Sequence, residues 1–211
     1  MNVKHVTVAC VLLIAVAAIG AGVVLTNGGD NDVTTGPSVP ETPDVPDTPD
    51  VPTIPSDGRV LVVYFSKTGT TEAQAQRIAD LTGGDILEIV PTVPYPSDYS
   101  ATTEIAQEEL RNDVRPAIDT KVEDMGQYDT IVVGYPIWWN APPMAVLTFL
   151  EDYDLMGKTV VTFCTSGGSS ISNSTSYIEG SAEGATVIEG QRITQSTDVR
   201  SWLDGLGLIP E

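Results

Sequence analysis

Residues 59–81, RVLVVYFSKTGTTEAQAQRIADL, leave this chain few folds to adopt. The run Val60-Leu61-Val62-Val63-Tyr64-Phe65 is short, continuous and largely β-branched, the pattern of a strand buried on both faces. It breaks into Ser66-Lys67-Thr68-Gly69-Thr70-Thr71, and the period then changes. Ala75, Ile78 and Ala79 follow at i, i+3, i+4, the spacing of an amphipathic helix, and Gly83-Gly84 supplies its stop. The turn between strand and helix holds four hydroxyls and one glycine in six residues. Such a turn aims backbone N–H and side-chain O–H groups at one point, with the positive end of a helix dipole behind them, which suits a phosphate monoester. An ordinary βα loop with Thr70 or Thr71 as helix cap is the plainer alternative. The loop is neither G-x-x-x-x-G-K-[ST] nor G-x-G-x-x-G.

The rest of residues 58–211 repeats the alternation. Strands are expected at Asp85–Val90, Thr130–Gly134, Gly157–Cys164 and Ala185–Ile188. Helices are expected from about Ala101 to Asp113, starting at Pro142-Pro143, and through Val199, Trp202, Leu203 and Leu206. Strands alternating with helices predict an α/β fold, a doubly wound five-stranded parallel sheet. Right-handed crossovers make the strand order 2-1-3-4-5 the natural one, with ligands outside the carboxyl ends of the strands at the β1/β3 switch point. The loops after strands one, three and four should therefore converge.

The loop after strand three is Tyr135-Pro136-Ile137-Trp138-Trp139-Asn140-Ala141, with Asn140 or Ala141 expected near the cap of the next helix. Two adjacent indoles are costly to leave exposed, so they either pack under the loop or offer a stacking face to a planar ligand. After strand four, Thr165-Ser166-Gly167-Gly168-Ser169 lets a ligand approach the backbone closely, and a Ser/Asn-rich turn follows. Cys164 reads as a buried strand thiol, since a C-x5-R phosphatase loop fails at Ser170.

The spacing [ST]-x-T-G-x-T at Ser66, Thr68, Gly69 and Thr71, together with GYPIWWNAPP, GKTVVTFCTSGGSS and a final WLDGLGL, resembles the flavodoxin family over residues 59–208. The resemblance implies a flavodoxin-like fold and non-covalent FMN. The phosphate would sit in Ser66, Lys67, Thr68, Gly69, Thr70 and Thr71. Pro136, Ile137, Trp138, Trp139 and Asn140 on one side, and Thr165, Ser166, Gly167, Gly168 and Ser169 on the other, would flank the isoalloxazine. Two departures stand out. Many flavodoxins carry a second aromatic after strand four, whereas none lies between Phe163 and Tyr177. Many also carry a glycine in the loop after strand three, where Asn140 is the residue here that readily takes a positive φ.

The formal net charge of −19 makes nucleic acid an unsuitable partner and favours a basic redox protein or a small-molecule electron donor or acceptor. The one histidine, His5, lies in the N-terminal segment, so neither a His-based triad nor a multi-His metal site is available to residues 58–211, and no metal is expected. Residues 1–26 hold an uncharged run from Val6 to Thr26, long enough for a membrane anchor with Lys4 inside. Signal cleavage and secretion are the alternative. Residues 27–57 are acidic and rich in Pro, Thr and Asp, with proline at every third position from Pro40 to Pro55. At ~3.1 Å per residue of polyproline II, the segment from Pro37 to Pro55 would hold a domain on the order of 60 Å from the bilayer. The expected protein is an FMN-dependent electron carrier tethered at the cell membrane, its domain outside the cytoplasm. An NAD(P)H- or quinone-using FMN reductase and a flavin-free surface binding module are the alternatives on the same fold.

Overall fold

The computed structural model describes residues 58–210; the expected anchor at 1–26 and linker at 27–57 lie outside them. Five parallel strands form one sheet: β1 (Val60–Tyr64), β2 (Asp85–Glu88), β3 (Thr130–Pro136), β4 (Thr159–Thr165) and β5 (Thr186–Arg192). Their order is β2-β1-β3-β4-β5, as the alternating pattern requires. The helices are α1 (Thr70–Thr82), α2 (Tyr99–Arg111), α3 (Met144–Glu151), α4 (Ser172–Ser181) and α5 (Val199–Gly205).

The unbroken apolar run of β1 follows from cover on both faces. Leu61 and Val63 join a core with Ile131, Val133 and Val160, closed by α3 and α4 through Leu147, Phe149 and Ile178. Val60, Val62 and Tyr64 point the other way, into a core with Val132, Val161 and Phe163 under Ala75 and Ile78 of α1 and Val199 and Leu203 of α5. Each fully buried Val, Leu or Phe contributes roughly 1.5–3 kcal/mol, so alternate residues of one short strand stabilise both layers. α1 ends where Gly83 turns left-handed at φ 67° and its N–H reaches the Ala79 carbonyl.

Several boundaries differ from expectation, each for a local reason. α2 begins at Tyr99 because the Asp98 carboxylate accepts from the Ala101 N–H at 2.8 Å. α3 begins at Met144 with Pro143 as its cap residue, so neither Asn140 nor Ala141 caps it. The Ser/Asn-rich stretch after residue 170 is not a turn but α4. Its serines have poor helix propensity, and tertiary contacts override it. Ser174 Oγ lies 3.1 Å from the Tyr135 hydroxyl, Thr175 Oγ1 donates to Glu189 at 2.6 Å, and Ile178 is fully buried. β5 runs on to Arg192 because a register shift between Val161 and Phe163 lets pairing resume at Phe163↔Gln191 and Cys164↔Arg192.

At the end of α3, Glu151 accepts two bonds from Arg115 Nε, at 2.8 and 2.9 Å, and one from Ser181 at 2.7 Å. The Arg115 bond is the main cause holding the Glu151 carboxyl below its usual range. A carboxyl lowered on folding stabilises above its unfolded pKa and loses that contribution as pH falls through its folded one. Wild type should therefore exceed Glu151→Gln in urea midpoint at pH 7, with the gap closing toward pH 3. Because Glu151 is 38% exposed, the gap should stay under about 1 kcal/mol. A gap independent of pH would assign the effect to packing.

Candidate functional site

The carboxyl ends of the strands open on a cavity of about 940 Å³, in the size range of small-molecule sites. The loop after β1 forms one end. Gly69, at φ 80°, is the cap residue of α1, and no side chain bonds the first-turn amides, so neither Thr70 nor Thr71 acts as the cap. The helix therefore presents a positive N-terminus without its own acceptor. Thr68 Oγ1 and Thr70 Oγ1 stand 3.2 Å apart on the exposed rim. Thr71 Oγ1 is buried 2.8 Å from Thr165 Oγ1 and ties this loop to the end of β4. Lys67 Nζ donates to the Tyr95 carbonyl at 2.9 Å, which keeps its charge at the cavity wall. It is the one charged residue among those lining the cavity. Ser66 Oγ is shut off from solvent and has no hydrogen-bond partner, an orphan at the base of the same loop.

The loop after β3 forms the other end. Trp138 and Ala141 exchange both backbone hydrogen bonds, each 2.9 Å, around Trp139 at φ 53° and Asn140 at φ 63°. Two consecutive left-handed residues make this a type I′ turn. The sequence marks Asn140 alone as ready for a positive φ; Trp139 adopts one as well, at a cost of about 1–2 kcal/mol for a residue with a Cβ. Two ties offset that cost: Trp139 Nε1 donates to the Thr103 carbonyl of α2 at 3.0 Å, and Asn173 Nδ2 donates to Asn140 Oδ1 at 3.1 Å. The indoles divide their roles. Trp138 is half-buried, edge-on to Phe65 and Tyr95 with centroids 5.4 and 5.2 Å away. Trp139 stays 52% exposed on the cavity rim.

Of the residues expected to bind a ligand, Lys67, Thr68, Thr70, Thr71, Pro136, Ile137, Trp138, Trp139, Thr165, Ser166 and Gly167 line the cavity. Gly69 lines a smaller recess beside it, of about 330 Å³. Ser66, Asn140, Gly168 and Ser169 line neither: Ser166 Oγ bonds the Ser169 carbonyl at 2.7 Å and folds the glycine turn back on itself. The cavity also takes Ser97, Tyr99, Thr102, Thr103 and Ala106 from α2 and its approach, and Ile193 and Thr194 after β5. The α2 set has the i, i+3, i+4, i+7 spacing of one helix face, a signal present in the sequence. Ile193 and Thr194 reach the site only because β5 is displaced in register.

The buried titratable side chains behind the cavity, Cys164 and Tyr95, offer support more than reagents. Burial pushes the Cys164 thiol up to about 12 and, with Glu109 accepting from its hydroxyl, holds the Tyr95 phenol well above the ordinary range. Cys164 should resist a thiol reagent such as DTNB at pH 8 in the native protein and react in urea. Rapid native labelling would contradict its burial. Among the described residues no group of acidic, histidine or cysteine side chains can hold a metal, and no helix is long and apolar enough to cross a membrane. The arrangement suits a ligand with an anionic tail at the α1 N-terminus and a planar, uncharged head beside the tryptophans.

Similar proteins carry the same fold. A protein from Bacteroides eggerthii DSM 20697, named as a flavoprotein, is 40% identical over 71% of this chain and 98% of its own, with a TM-score of 0.65. One from Bacteroides uniformis ATCC 8492, named likewise, is 35% identical over 70% and 98%, with a TM-score of 0.63. A flavoprotein from Lactobacillus acidophilus NCFM, solved in complex with FMN, is 26% identical over 69% and 98%, with a TM-score of 0.60. No curated protein matches the chain. The flavodoxin family profile matches residues 59–206, which is most of the chain and all the elements that build the cavity. The chain belongs to the flavodoxin family.

Proposed function

We propose that this protein binds FMN and acts as an electron carrier. One observation carries the FMN assignment: the uncapped, hydroxyl-rimmed N-terminus of α1 opens into the same cavity as the exposed indole of Trp139. The residues fit the group. Thr68, Thr70 and the first amides of α1, with Lys67 beside them, would hold the phosphate. The orphan hydroxyl of Ser66 is a further donor within that loop. Trp138 and Trp139 would face the ring from one side and Thr165–Gly167 from the other. Bound there, FMN supplies one- and two-electron redox chemistry, while the protein orients it and sets its surroundings. The Lactobacillus acidophilus protein of this fold, solved with FMN, supports the choice of cofactor.

The carrier reading rests on charge. A net charge of −19 suits docking to a basic redox protein, where complementary surfaces raise encounter rate more than affinity. Residues 1–26 would tether the domain at the outer face of the cell membrane through the 27–57 spacer, or be removed on secretion. A reductase using NAD(P)H or a quinone is the second reading, favoured by the two exposed aromatics, Tyr99 and Trp139, on the cavity rim. Stepwise photoreduction separates the two readings. Two resolved one-electron steps support the carrier, and steady NAD(P)H oxidation with a quinone supports the reductase.

The Trp139–Asn140 turn should tune the flavin. Asn140→Gly keeps the φ of 63° accessible but removes the tie to Asn173. It should shift the midpoint potentials while leaving FMN uptake intact. Potentials equal to wild type would separate this turn from redox tuning.

A further inference from the structure

Tyr99 is the large cavity-lining side chain that belongs to neither the phosphate loop nor the tryptophan loop. It is 83% exposed, although it lines the cavity. A tyrosine ring left that open forgoes the burial of ~150–250 Å² that aromatic side chains ordinarily gain. Its neighbours on α2 are small: Thr102, Thr103 and Ala106 follow at i+3, i+4 and i+7, face the same cavity and leave room in front of the helix. The Trp139 indole N–H is anchored on the Thr103 carbonyl, one helical turn from Tyr99. The most exposed aromatics of the site thus border one stretch of cavity wall. The loop after β4, from Ser166 to Ser170, contributes no aromatic ring.

We infer that Tyr99, at the start of α2, is the second aromatic contact of this site and binds an uncharged planar ring together with Trp139. The ring is uncharged because Lys67, the one charged lining residue, already donates its ammonium to the Tyr95 carbonyl at 2.9 Å, and no other charged side chain lines the cavity. Asp98 and Glu104, exposed on either side of this stretch, disfavour an anionic ring. This rests on the FMN reading in one respect: the ring is either the isoalloxazine of FMN or a separate neutral planar molecule of the quinone class that approaches it.

The test uses the full chain as wild type, Tyr99→Ala and Tyr99→Phe. FMN affinity is read by quenching of flavin fluorescence, and menadione affinity by equilibrium dialysis against both the FMN-loaded and the FMN-free protein. Tyr99→Ala should weaken one of the two ligands about tenfold, and Tyr99→Phe, which keeps the ring, should stay within about twofold of wild type. A loss confined to FMN identifies the ring as isoalloxazine, and a loss confined to menadione identifies a separate planar ligand. Unchanged affinity for both in Tyr99→Ala overturns the inference, as does an equal loss in Tyr99→Phe. Failure of wild type to take up FMN would defeat the cofactor assignment alone, because dialysis of menadione against the FMN-free protein still reads the effect at Tyr99. At 83% exposure the substitutions should leave the melting temperature unchanged, so a binding loss is not a folding loss.

Discussion

Thr70→Glu should weaken FMN binding about a thousandfold and leave the fold intact. Thr70 is the first residue of α1, exposed on the cavity rim, with its hydroxyl 3.2 Å from that of Thr68. A carboxylate there would meet the phosphate of the ligand at close range. Like unit charges ~4 Å apart cost about 4 kcal/mol at an effective dielectric near 20, which is about three decades in affinity. The same carboxylate is favourable to the helix itself, by about 0.3–1 kcal/mol, because it faces the positive end of the dipole. Fold and binding should therefore separate cleanly: melting temperature held or raised, flavin uptake lost. Thr70→Ser, which keeps the hydroxyl, should stay close to wild type. Were Thr70→Glu to bind FMN within tenfold of wild type, the phosphate would lie elsewhere. Titration of flavin fluorescence reads all three proteins.

Gly190→Ala should be the most damaging glycine-to-alanine change among the described residues, costing about 3–5 kcal/mol or preventing folding. A Cβ at Gly190 would lie 1.7 Å from the Thr162 carbonyl oxygen and 2.9 Å from Trp202 Cζ2. The first of these is backbone and has no rotamer to escape through. Gly190 sits at the register shift of β5 on β4, where its N–H donates to Thr162 Oγ1 at 3.1 Å. A one-residue slip in a strand moves every side chain to the other face. The shift therefore decides that Ile193 turns inward, its N–H on the Cys164 carbonyl at 2.8 Å, and that Thr194 follows it to the cavity. Gly167→Ala and Gly168→Ala are the contrast: a Cβ at either meets nothing within 4 Å, and both should stay within about 0.5 kcal/mol of wild type. Urea unfolding of the three variants checks the ranking. A Gly190→Ala protein as stable as Gly167→Ala would mean that β5 pairs differently.

What could be read from the sequence was what is local and periodic. β1 was legible because both its faces are buried, so six consecutive apolar residues carry the signal without alternation. α1 was legible from Ala75, Ile78 and Ala79, and the strand order followed from alternation and handedness. α4 was not legible, since Ser172, Asn173 and Ser174 look like a turn until Tyr135 and Ile171 supply partners for Ser174 and Asn140 one for Asn173. Eleven of the eighteen residues lining the cavity lie in the loops that the motifs single out, and seven do not. The phosphate-loop and tryptophan residues are contiguous in the chain. Ile193 and Thr194 depend on a register shift between two strands, and Tyr99 on how α2 packs across the cavity. The left-handed Trp139 lay beyond propensity altogether, because the bonds to Thr103 and from Asn173 that hold its turn come from two different helices.

The central claim is that the loop at the start of α1 holds a phosphate and thereby seats a flavin. Parallel titration of the full chain with FMN and riboflavin tests it most directly, because the two ligands share the ring and differ in the phosphate. The expected result is one FMN per chain and an affinity for riboflavin at least about 100-fold weaker, as befits charge-assisted bonds to a dianion. Equal affinity for the two flavins, or no uptake of FMN, would contradict it.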